Sequence, residues 1–200
     1  MFSTISDRSL KPLPLSQADL RYAETFLDKT EADTALNALI QQVPWQQAEI
    51  QLFGRKVLTP RLSCWMGEPD AVYRYSNTSF RPEPWNPVVL MLKSHVEAAT
   101  GRKFNSVLLN YYRNGSDAMG WHSDDEAELG VRPMIASLSL GGVRRFLLRN
   151  KSGGKSLGID LAHGSLLIMQ GDTQKHYQHS LPRTVKMVDA RINLTFRKIV

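Results

Sequence analysis

The chain has 200 residues, with 25 lysines and arginines against 19 aspartates and glutamates, and its formal net charge is +6. This length suits one domain with a substantial core, and the basic balance is compatible with a polyanionic partner such as nucleic acid. The single cysteine, Cys64, excludes a disulfide framework within the chain and a cysteine-rich zinc site.

The cellular location is predicted from the same features. One cysteine indicates a reducing compartment, residues 1–10 contain no apolar segment typical of a signal peptide, and no later apolar run is long enough to cross a bilayer. We therefore expect a soluble intracellular protein without membrane contact, cytoplasmic in a bacterium or nuclear in a eukaryote. Nothing in the sequence indicates an obligate interface, so we expect a monomer.

The first element of the chain is an N-terminal arm. Residues 1–16 contain prolines and serines without sustained periodicity, which predicts an arm ahead of a single domain at 17–200. A helix is predicted at about 31–42, because alanines, leucines and an isoleucine form an apolar stripe there. Thr30 is the expected N-cap of this helix.

The stretch at about 49–80 contains short extended segments separated by turns. The first two predicted strands flank a basic turn made of Gly54, Arg55 and Lys56, and Phe53 stands directly before this turn. A phenylalanine beside such a turn can contact nucleic acid, but the local sequence alone favours a core phenylalanine in an ordinary hairpin. The next extended segment carries aromatic and soft apolar surface at Trp65 and Met66, followed by Gly67.

The second half of the chain is predicted to be mainly β. Asn86 and Pro87 begin a second helix, which Gly101 ends. After it, short apolar stretches alternate with turn signals. Strands are expected at about 106–112, 134–140, 144–149, 156–161, 165–169, 175–180 and 191–198. This order predicts an α+β protein, mainly β, whose antiparallel strands close as a jelly roll with helices packed outside.

A metal site is indicated by His122 and Asp124, which stand two positions apart and therefore leave the same face of an extended backbone. The motif is short and occurs by chance in many chains. A third ligand is sought among His163, His176 and His179. His163 stands at a predicted turn and is expected to be structural or exposed, whereas the other two point to opposite faces of one strand, so only one reaches the metal. Two histidines and one carboxylate form the facial triad of non-haem iron(II) oxygenases.

The last predicted strand has one apolar and one polar face. The polar face carries Arg191, Asn193, Thr195 and Arg197. This row either faces solvent or lines a pocket for an acidic ligand, because guanidinium groups bind carboxylates with paired, charge-assisted hydrogen bonds. Asn110 and Tyr112 share a face of strand 106–112 and can add an amide and a phenol to such a pocket. A dicarboxylate would fit it.

From about Gln51 to the C-terminus, the chain resembles the AlkB-type Fe(II)/2-oxoglutarate dioxygenases, and within them the DNA-repair branch of the human AlkB homologues. Four motifs carry the resemblance, in the same order and spacing: Asn110-x-Tyr112, His122-x-Asp124-Asp125-Glu126, His179-Ser-Leu-Pro182 and Arg191-x-Asn-Leu-Thr-Phe-Arg197-Lys-Ile. The resemblance implies a double-stranded β-helix (jelly-roll) core with three iron ligands, His122, Asp124 and His179. It also implies a 2-oxoglutarate site formed by Asn110, Tyr112, Arg191, Asn193, Thr195 and Arg197.

The resemblance implies oxidative demethylation of 1-methyladenine- and 3-methylcytosine-type bases in DNA. It implies Fe(II) as the metal, with 2-oxoglutarate and O2 consumed and formaldehyde, succinate and CO2 released. Arg191 is expected to bind the distal carboxylate of 2-oxoglutarate, and Arg197 to steady Asp124 or the proximal carboxylate. The base must be flipped out of the duplex to reach the iron, and in this family a hairpin aromatic that matches Phe53 fills the vacated space.

Further substrate contacts are also implied by the resemblance. Trp65, Met66 and Gly67 match a segment that packs on the flipped base, although the family usually has a tyrosine where this chain has Met66. Asp125 matches an acid that contacts the base or the lid at about 49–80. Basic residues expected to contact phosphates are Arg55, Lys56, Arg113 and Lys151.

Two alternatives to DNA repair follow from the sequence. The same chemistry occurs in RNA demethylases and protein hydroxylases, which differ in substrate. A jelly-roll module that binds nucleic acid without catalysis is the alternative from a different class, and the complete triad and the arginine pair argue against it.

Overall fold

The computed structural model describes residues 8–52, 55–71, 73–75 and 78–200. Its strands are β1 (Lys11–Leu13), β2 (Asp19–Ala23), β3 (Glu49–Leu52), β4 (Arg55–Leu58), β5 (Leu62–Gly67), β6 (Tyr73–Tyr75), β7 (Thr78–Phe80), β8 (Ser106–Tyr112), β9 (Met119–His122), β10 (Ile135–Gly141), β11 (Arg144–Asn150), β12 (Leu157–Leu161), β13 (Ser165–Gln170), β14 (Tyr177–Leu181) and β15 (Arg191–Arg197). Its helices are α1 (Lys29–Gln42), α2 (Pro87–Thr100) and α3 (Thr173–His176), with a 3-10 turn at Ala127–Leu129.

Two antiparallel sheets form the body of the described chain. The larger has seven strands in the order β1-β2-β13-β10-β15-β8-β5, and the smaller has four in the order β12-β11-β14-β9. Side chains from both sheets, such as Ile135 of β10 and Phe146 of β11, share one core. Two sheets facing each other in this way form the predicted jelly roll, and β3–β4 and β6–β7 are separate two-stranded hairpins.

Alternation along β15 explains why the larger sheet has one apolar and one polar face. Ile192, Leu194 and Phe196 are buried in a core that includes residues of α1 and α2. The intervening polar side chains are buried too, on the face that looks towards the smaller sheet. The helices therefore cover the outside of the larger sheet, and the polar row lies between the two sheets.

Most predicted elements are confirmed, and the strands predicted from residue 106 onward differ from the observed ones by at most two residues at their ends. The largest difference is in the strand expected at about 175–180, because α3 occupies Thr173–His176 and β14 begins only at Tyr177. Helix α2 has the predicted caps, with Asn86 accepting from the Val88 N–H and Gly101 in a left-handed conformation at φ 65°.

The predicted N-cap of α1 is wrong. The cap is Asp28, whose carboxylate accepts from the Glu31 N–H, while the Glu31 side chain accepts from the Asp28 N–H. This reciprocal capping box satisfies two helix-end donors, which Thr30, exposed within the first turn, does not do. The helix therefore begins two residues before the predicted start.

Strands β1, β2 and β9 were not predicted from the sequence. β1 lies at the edge of the larger sheet and contains Pro12, which an edge position tolerates. β2 pairs with β13 over five residues, with Leu20 buried in the core between the sheets and Ala23 buried in the core under the helices. In the described part of the chain, no helix combines the length and apolar character that a bilayer span requires.

Candidate active site

The three predicted metal ligands converge between the sheets. His122 ends β9, Asp124 follows two residues later, and His179 on the neighbouring strand β14 pairs directly with His122. One ligand atom of each residue lies within 4.8 Å of the others. Asp124 and His179 are only 2% and 5% exposed, whereas His122 is partly exposed. The cluster is therefore closed on the protein side and open beside His122.

The other histidine candidates lie elsewhere. His176 ends α3 and is not part of the cluster. His163 accepts from the Gly141 N–H at Nδ1 over 2.7 Å, and its Nε2 lies 3.1 Å from Asp33 Oδ1. These bonds connect α1 to the end of β10, so the structural role predicted for His163 is confirmed.

Asp124 is held by charge and by hydrogen bonds. Arg197 donates from Nη2 to Oδ1 of Asp124 over 2.5 Å, and the backbone N–H of Asp124 donates to Oε1 of the buried Gln174 over 2.9 Å. Burial by itself raises the pKa of Asp124, but the positive charge of Arg197 acts against burial, and the pKa of this carboxyl lies below its ordinary value. The carboxylate therefore stays ionised, as a metal ligand must be.

Both histidines are suited to metal binding. Burial lowers the pKa of His179 to about 3, which keeps its imidazole neutral at neutral pH. Nδ1 of His122 lies 2.9 Å from the Gly120 carbonyl oxygen, so a hydrogen on Nδ1 donates to that oxygen and leaves Nε2 as the ligand atom. Two imidazoles and one carboxylate match the donor set of an iron(II) facial triad.

A pocket between the two sheets, partly open to solvent, contains this cluster. All six residues predicted for the co-substrate line the same cavity as the triad: Asn110, Tyr112, Arg191, Asn193, Thr195 and Arg197. Apolar side chains, among them Leu108, Phe146 and Met169, form the rest of its wall. The structure therefore brings the metal residues and the polar row of β15 into one site.

Arg191 and Arg197 lie at opposite ends of this polar row. Arg191 is 2% exposed. Its Nη2 donates to Ser139 Oγ over 2.9 Å, and its guanidinium lies 5.3 Å from the centre of the Tyr112 ring. Among the described residues, no carboxylate lies within 4.0 Å of this guanidinium, and its buried Nε has no hydrogen-bond partner.

Burial lowers the pKa of Arg191 to about 10, which still leaves the group charged at neutral pH. A buried cation without an acidic partner is costly unless an anion binds there. The site therefore fits an anionic ligand such as the carboxylate of 2-oxoglutarate, and the unpartnered Nε of Arg197 in the same cavity supplies a second open donor among the described residues.

Other polar residues of the wall are bonded mainly to one another. Asn193 donates from Nδ2 to Ser137 Oγ and to the Leu138 carbonyl oxygen, and it accepts from the Thr195 hydroxyl. These bonds fix the wall, and they occupy the amide of Asn193. Ser137 was not predicted as a site residue, although its position in the alternating stretch at 134–140 places it on one face with Ser139.

Arg61 is a second site residue that the sequence did not reveal. It donates from Nε to Oδ1 of Asn110 over 2.9 Å, and from Nη1 to the Ala118 carbonyl oxygen over 3.4 Å. Because Oδ1 of Asn110 accepts this bond, the amide is oriented and its Nδ2 remains available as a donor. Arg61 precedes β5 and reaches Asn110 only through the β5–β8 pairing, which the sequence does not show.

The predicted substrate residues are only partly brought to this cavity. Trp65 pairs with Leu108 and packs against the core between the sheets, on the same side as the cavity. Met66 points the opposite way, into the core under the helices, and is 2% exposed. Gly67 ends β5, where an added Cβ would lie 2.7 Å from the Asn105 carbonyl oxygen.

The remaining predicted contacts are at the surface or beyond the described residues. Phe53 and Gly54 lie outside the described residues, as does the side chain of Arg55. Asp125 is exposed and forms an ion pair with Lys151 over 3.0 Å. Lys151 also donates to the Gln174 carbonyl oxygen, so the acid predicted to contact the base is tied to a lysine predicted to contact phosphate.

Comparisons with known proteins agree on one family. The model of the 2OG-Fe(II) oxygenase superfamily matches residues 19–197. The human alpha-ketoglutarate-dependent dioxygenase alkB homolog 3 is 42% identical over 201 residues, covering 96% of this chain and 69% of that protein. The human DNA oxidative demethylase ALKBH2 is 40% identical over 193 residues, covering 91% and 74%. The solved structure of OsALKBH1 has the same fold, with a TM-score of 0.67 at 17% identity, covering 94% of this chain and all of that chain.

Proposed function

Because this chain belongs to the 2OG-Fe(II) oxygenase superfamily, we propose that it is an Fe(II)- and 2-oxoglutarate-dependent DNA oxidative demethylase. Its substrates are N-methylated bases of the 1-methyladenine and 3-methylcytosine type. The observation that carries the proposal is one cavity that contains both the His122–Asp124–His179 cluster and the guanidinium of Arg191. This guanidinium is buried and has no carboxylate partner among the described residues. Relatives at about 40% identity are named as dioxygenases and as DNA oxidative demethylases.

The iron would be held by His122, Asp124 and His179. A set of three protein ligands would leave the remaining positions on the ion for the co-substrate and O2. Arg197 would hold the ligand Asp124 in place, because it bonds to Oδ1 and leaves Oδ2, which lies 3.7 Å from His179 Nε2, available to the iron.

The co-substrate is bound through its two carboxylates. Arg191 binds the distal carboxylate, for which its open Nε and the adjacent Tyr112 supply donors. Asn110, oriented by Arg61, supplies a further N–H donor. When bound, iron and 2-oxoglutarate would activate O2, with one oxygen atom going to 2-oxoglutarate, which leaves as succinate and CO2, and the other to the methyl group, which leaves as formaldehyde.

The base reaches this site by leaving the helix, because the cluster is closed except beside His122. Phe53 is proposed to fill the vacated space, and Trp65 to flank the base together with Gly67. Asp125 is proposed to contact the base, which requires it to leave Lys151. Met66 remains the weakest substrate assignment, because its side chain lies in the core under the helices.

The proposal is tested by offering the iron-loaded protein oligonucleotides that carry one 1-methyladenine, in DNA and in RNA, together with a methylated peptide. Formaldehyde release and loss of the methyl group from DNA are expected, and both should disappear in His122→Ala and Asp124→Ala. Turnover of RNA in place of DNA would show that the protein is an RNA demethylase, and turnover of the peptide would show that it acts on proteins. Turnover that survives both substitutions would reject the site. The monomeric state and the intracellular location stay predictions.

A further inference from the structure

Arg144 on β11 is a buried arginine that does not line the cavity. It is 3% exposed, and it donates to three backbone carbonyl oxygens, those of Asn114, Asp117 and Pro182, over 2.7 to 3.1 Å. Two of these carbonyls lie in the loop that follows β8, and the third follows β14. Arg144 therefore joins two loops at the end of the cavity marked by Tyr112.

Tyr112 lies between Arg144 and Arg191. The guanidinium of Arg191 is 5.3 Å from the centre of the Tyr112 ring, and that of Arg144 is 5.9 Å from it. Burial raises the pKa of the Tyr112 phenol, while the charges of Arg191, Arg61 and Arg144 act against this. The phenol is therefore surrounded by three positive charges and stays protonated, as a hydrogen-bond donor, at neutral pH.

One acid in the described chain, Asp117, opposes these positive charges, and it is already paired with another arginine. Asp117 is the one acid that acts on both Arg144 and Tyr112. Its carboxylate is occupied by Arg113, which donates to it from Nε, from Nη2 and from the backbone N–H over 2.8 to 2.9 Å. Arg144 uses only the backbone carbonyl of Asp117, and no carboxylate of the described residues lies within 4.0 Å of its guanidinium.

We propose that Arg144 is a selectivity-determining residue of the co-substrate pocket, which favours a 2-oxo acid with a second, distal carboxylate over one that ends in a methyl group. Arg144 does this without touching the ligand, through its charge beside Tyr112; its bonds to the two loops support the pocket equally for either ligand. The proposal rests on the proposed function, since it assumes that the distal carboxylate binds beside Arg191. In a buried site of low dielectric constant, a second cation at this range adds to the attraction of the first.

The experiment compares two ligands on the Mn(II)-loaded protein, so that binding is measured without turnover. The ligands are 2-oxoglutarate and 2-oxopentanoate, in which a methyl group replaces the distal carboxylate. Dissociation constants are measured by calorimetry for the wild type, Arg144→Met and Arg144→Lys. Arg145→Met is the matched control, because Arg145 is adjacent on β11 but exposed, and it pairs with Asp160 on the outside of the smaller sheet.

Arg144→Met is expected to weaken 2-oxoglutarate binding about tenfold and 2-oxopentanoate binding less than about twofold. Arg144→Lys retains the charge and should keep most of the preference, and Arg145→Met should keep all of it. The lysine variant also carries the test if the methionine variant does not fold, because a preference reduced tenfold with lysine would overturn the role of charge.

Two results would overturn the inference. An equal loss for both ligands in Arg144→Met would show that Arg144 only supports the loops, and an unchanged preference would show that its charge does not reach the ligand. Failure of the wild type to bind 2-oxoglutarate would instead contradict the proposed function, so the two failures are distinguishable.

Discussion

The guanidinium of Arg197 donates to the carboxylate of Asp124 over 2.5 Å, and both side chains are buried. Arg197 lies on β15 in the larger sheet, whereas Asp124 follows β9 in the smaller one. The ion pair therefore connects the two sheets at the metal cluster. It also means that the negative charge of Asp124 has a protein partner before any metal binds.

Arg197→Met should leave a buried carboxylate without its cation. Breaking a buried ion pair by removing one partner costs about 3–5 kcal/mol, so a loss of this size is expected in the free energy of unfolding of the metal-free protein, measured by urea denaturation. A divalent ion can replace the lost positive charge, and Mn(II) should therefore raise the melting temperature of the variant more than that of the wild type. An equal rise in both proteins would contradict the link between Arg197 and the metal ligand.

The stability of the metal-free protein should depend on pH through His179. Its pKa falls from 6.5 to about 3 on folding because the ring is buried, so the unfolded chain binds more protons in this window. The stabilising contribution is complete above about pH 6.5 and is lost as the pH falls towards 3. We expect the free energy of unfolding to decrease by about 1–2 kcal/mol between pH 7 and pH 5.

His179→Gln provides the control for this pH dependence, since glutamine does not titrate. Urea denaturation with a chelator present should show a smaller decrease between pH 7 and pH 5 in the variant. The same decrease in both proteins would mean that other groups cause the pH dependence. The pKa of Asp124 is lowered as well, but its contribution is lost at more acidic pH, below its ordinary value of 3.8.

The N-cap of α1 is Asp28 in the structure, whereas the sequence predicted Thr30. Asp28→Ala removes one half of the capping box and should lower the free energy of unfolding by about 1 kcal/mol. Thr30→Ala, at the cap predicted from the sequence, should change it by no more than a few tenths of a kcal/mol. Thermal or urea denaturation of the two variants checks this, and a larger loss for Thr30→Ala would contradict the observed cap.

The sequence predicted the parts of the fold that depend on local patterns. Alternation placed Arg191 and Arg197 on one face of β15, and the two-residue spacing placed His122 and Asp124 together. The jelly roll followed from a regular series of short strands. Strand β2 was not predicted, because its five residues include two charged side chains and show no clear alternation of apolar and polar residues. Only its pairing with β13 identifies it as a strand.

Contacts between distant strands could not be predicted. Ser139 reaches Arg191, and Arg61 reaches Asn110, only through the strand order of the larger sheet. Met66 was predicted to contact the substrate because its segment matches one that does so in the family. Side chains alternate along β5, however, and this alternation directs Met66 into the core under the helices. A motif identifies which residues are present, and the register decides where their side chains point.

The central claim is that the protein couples the conversion of 2-oxoglutarate to succinate with demethylation of a DNA base. Measuring both products in one reaction is its most direct test. The iron-loaded protein would be given 2-oxoglutarate, air and an oligonucleotide with one 1-methyladenine, and succinate, formaldehyde and restored adenine would be measured together. We predict the three products in equal amounts, and none of them with Asp124→Ala. Succinate without restored adenine would leave the co-substrate assignment in place and contradict the DNA substrate. If the folded, iron-loaded wild type formed neither succinate nor adenine, the assignment of the cavity as an oxygenase site would be wrong.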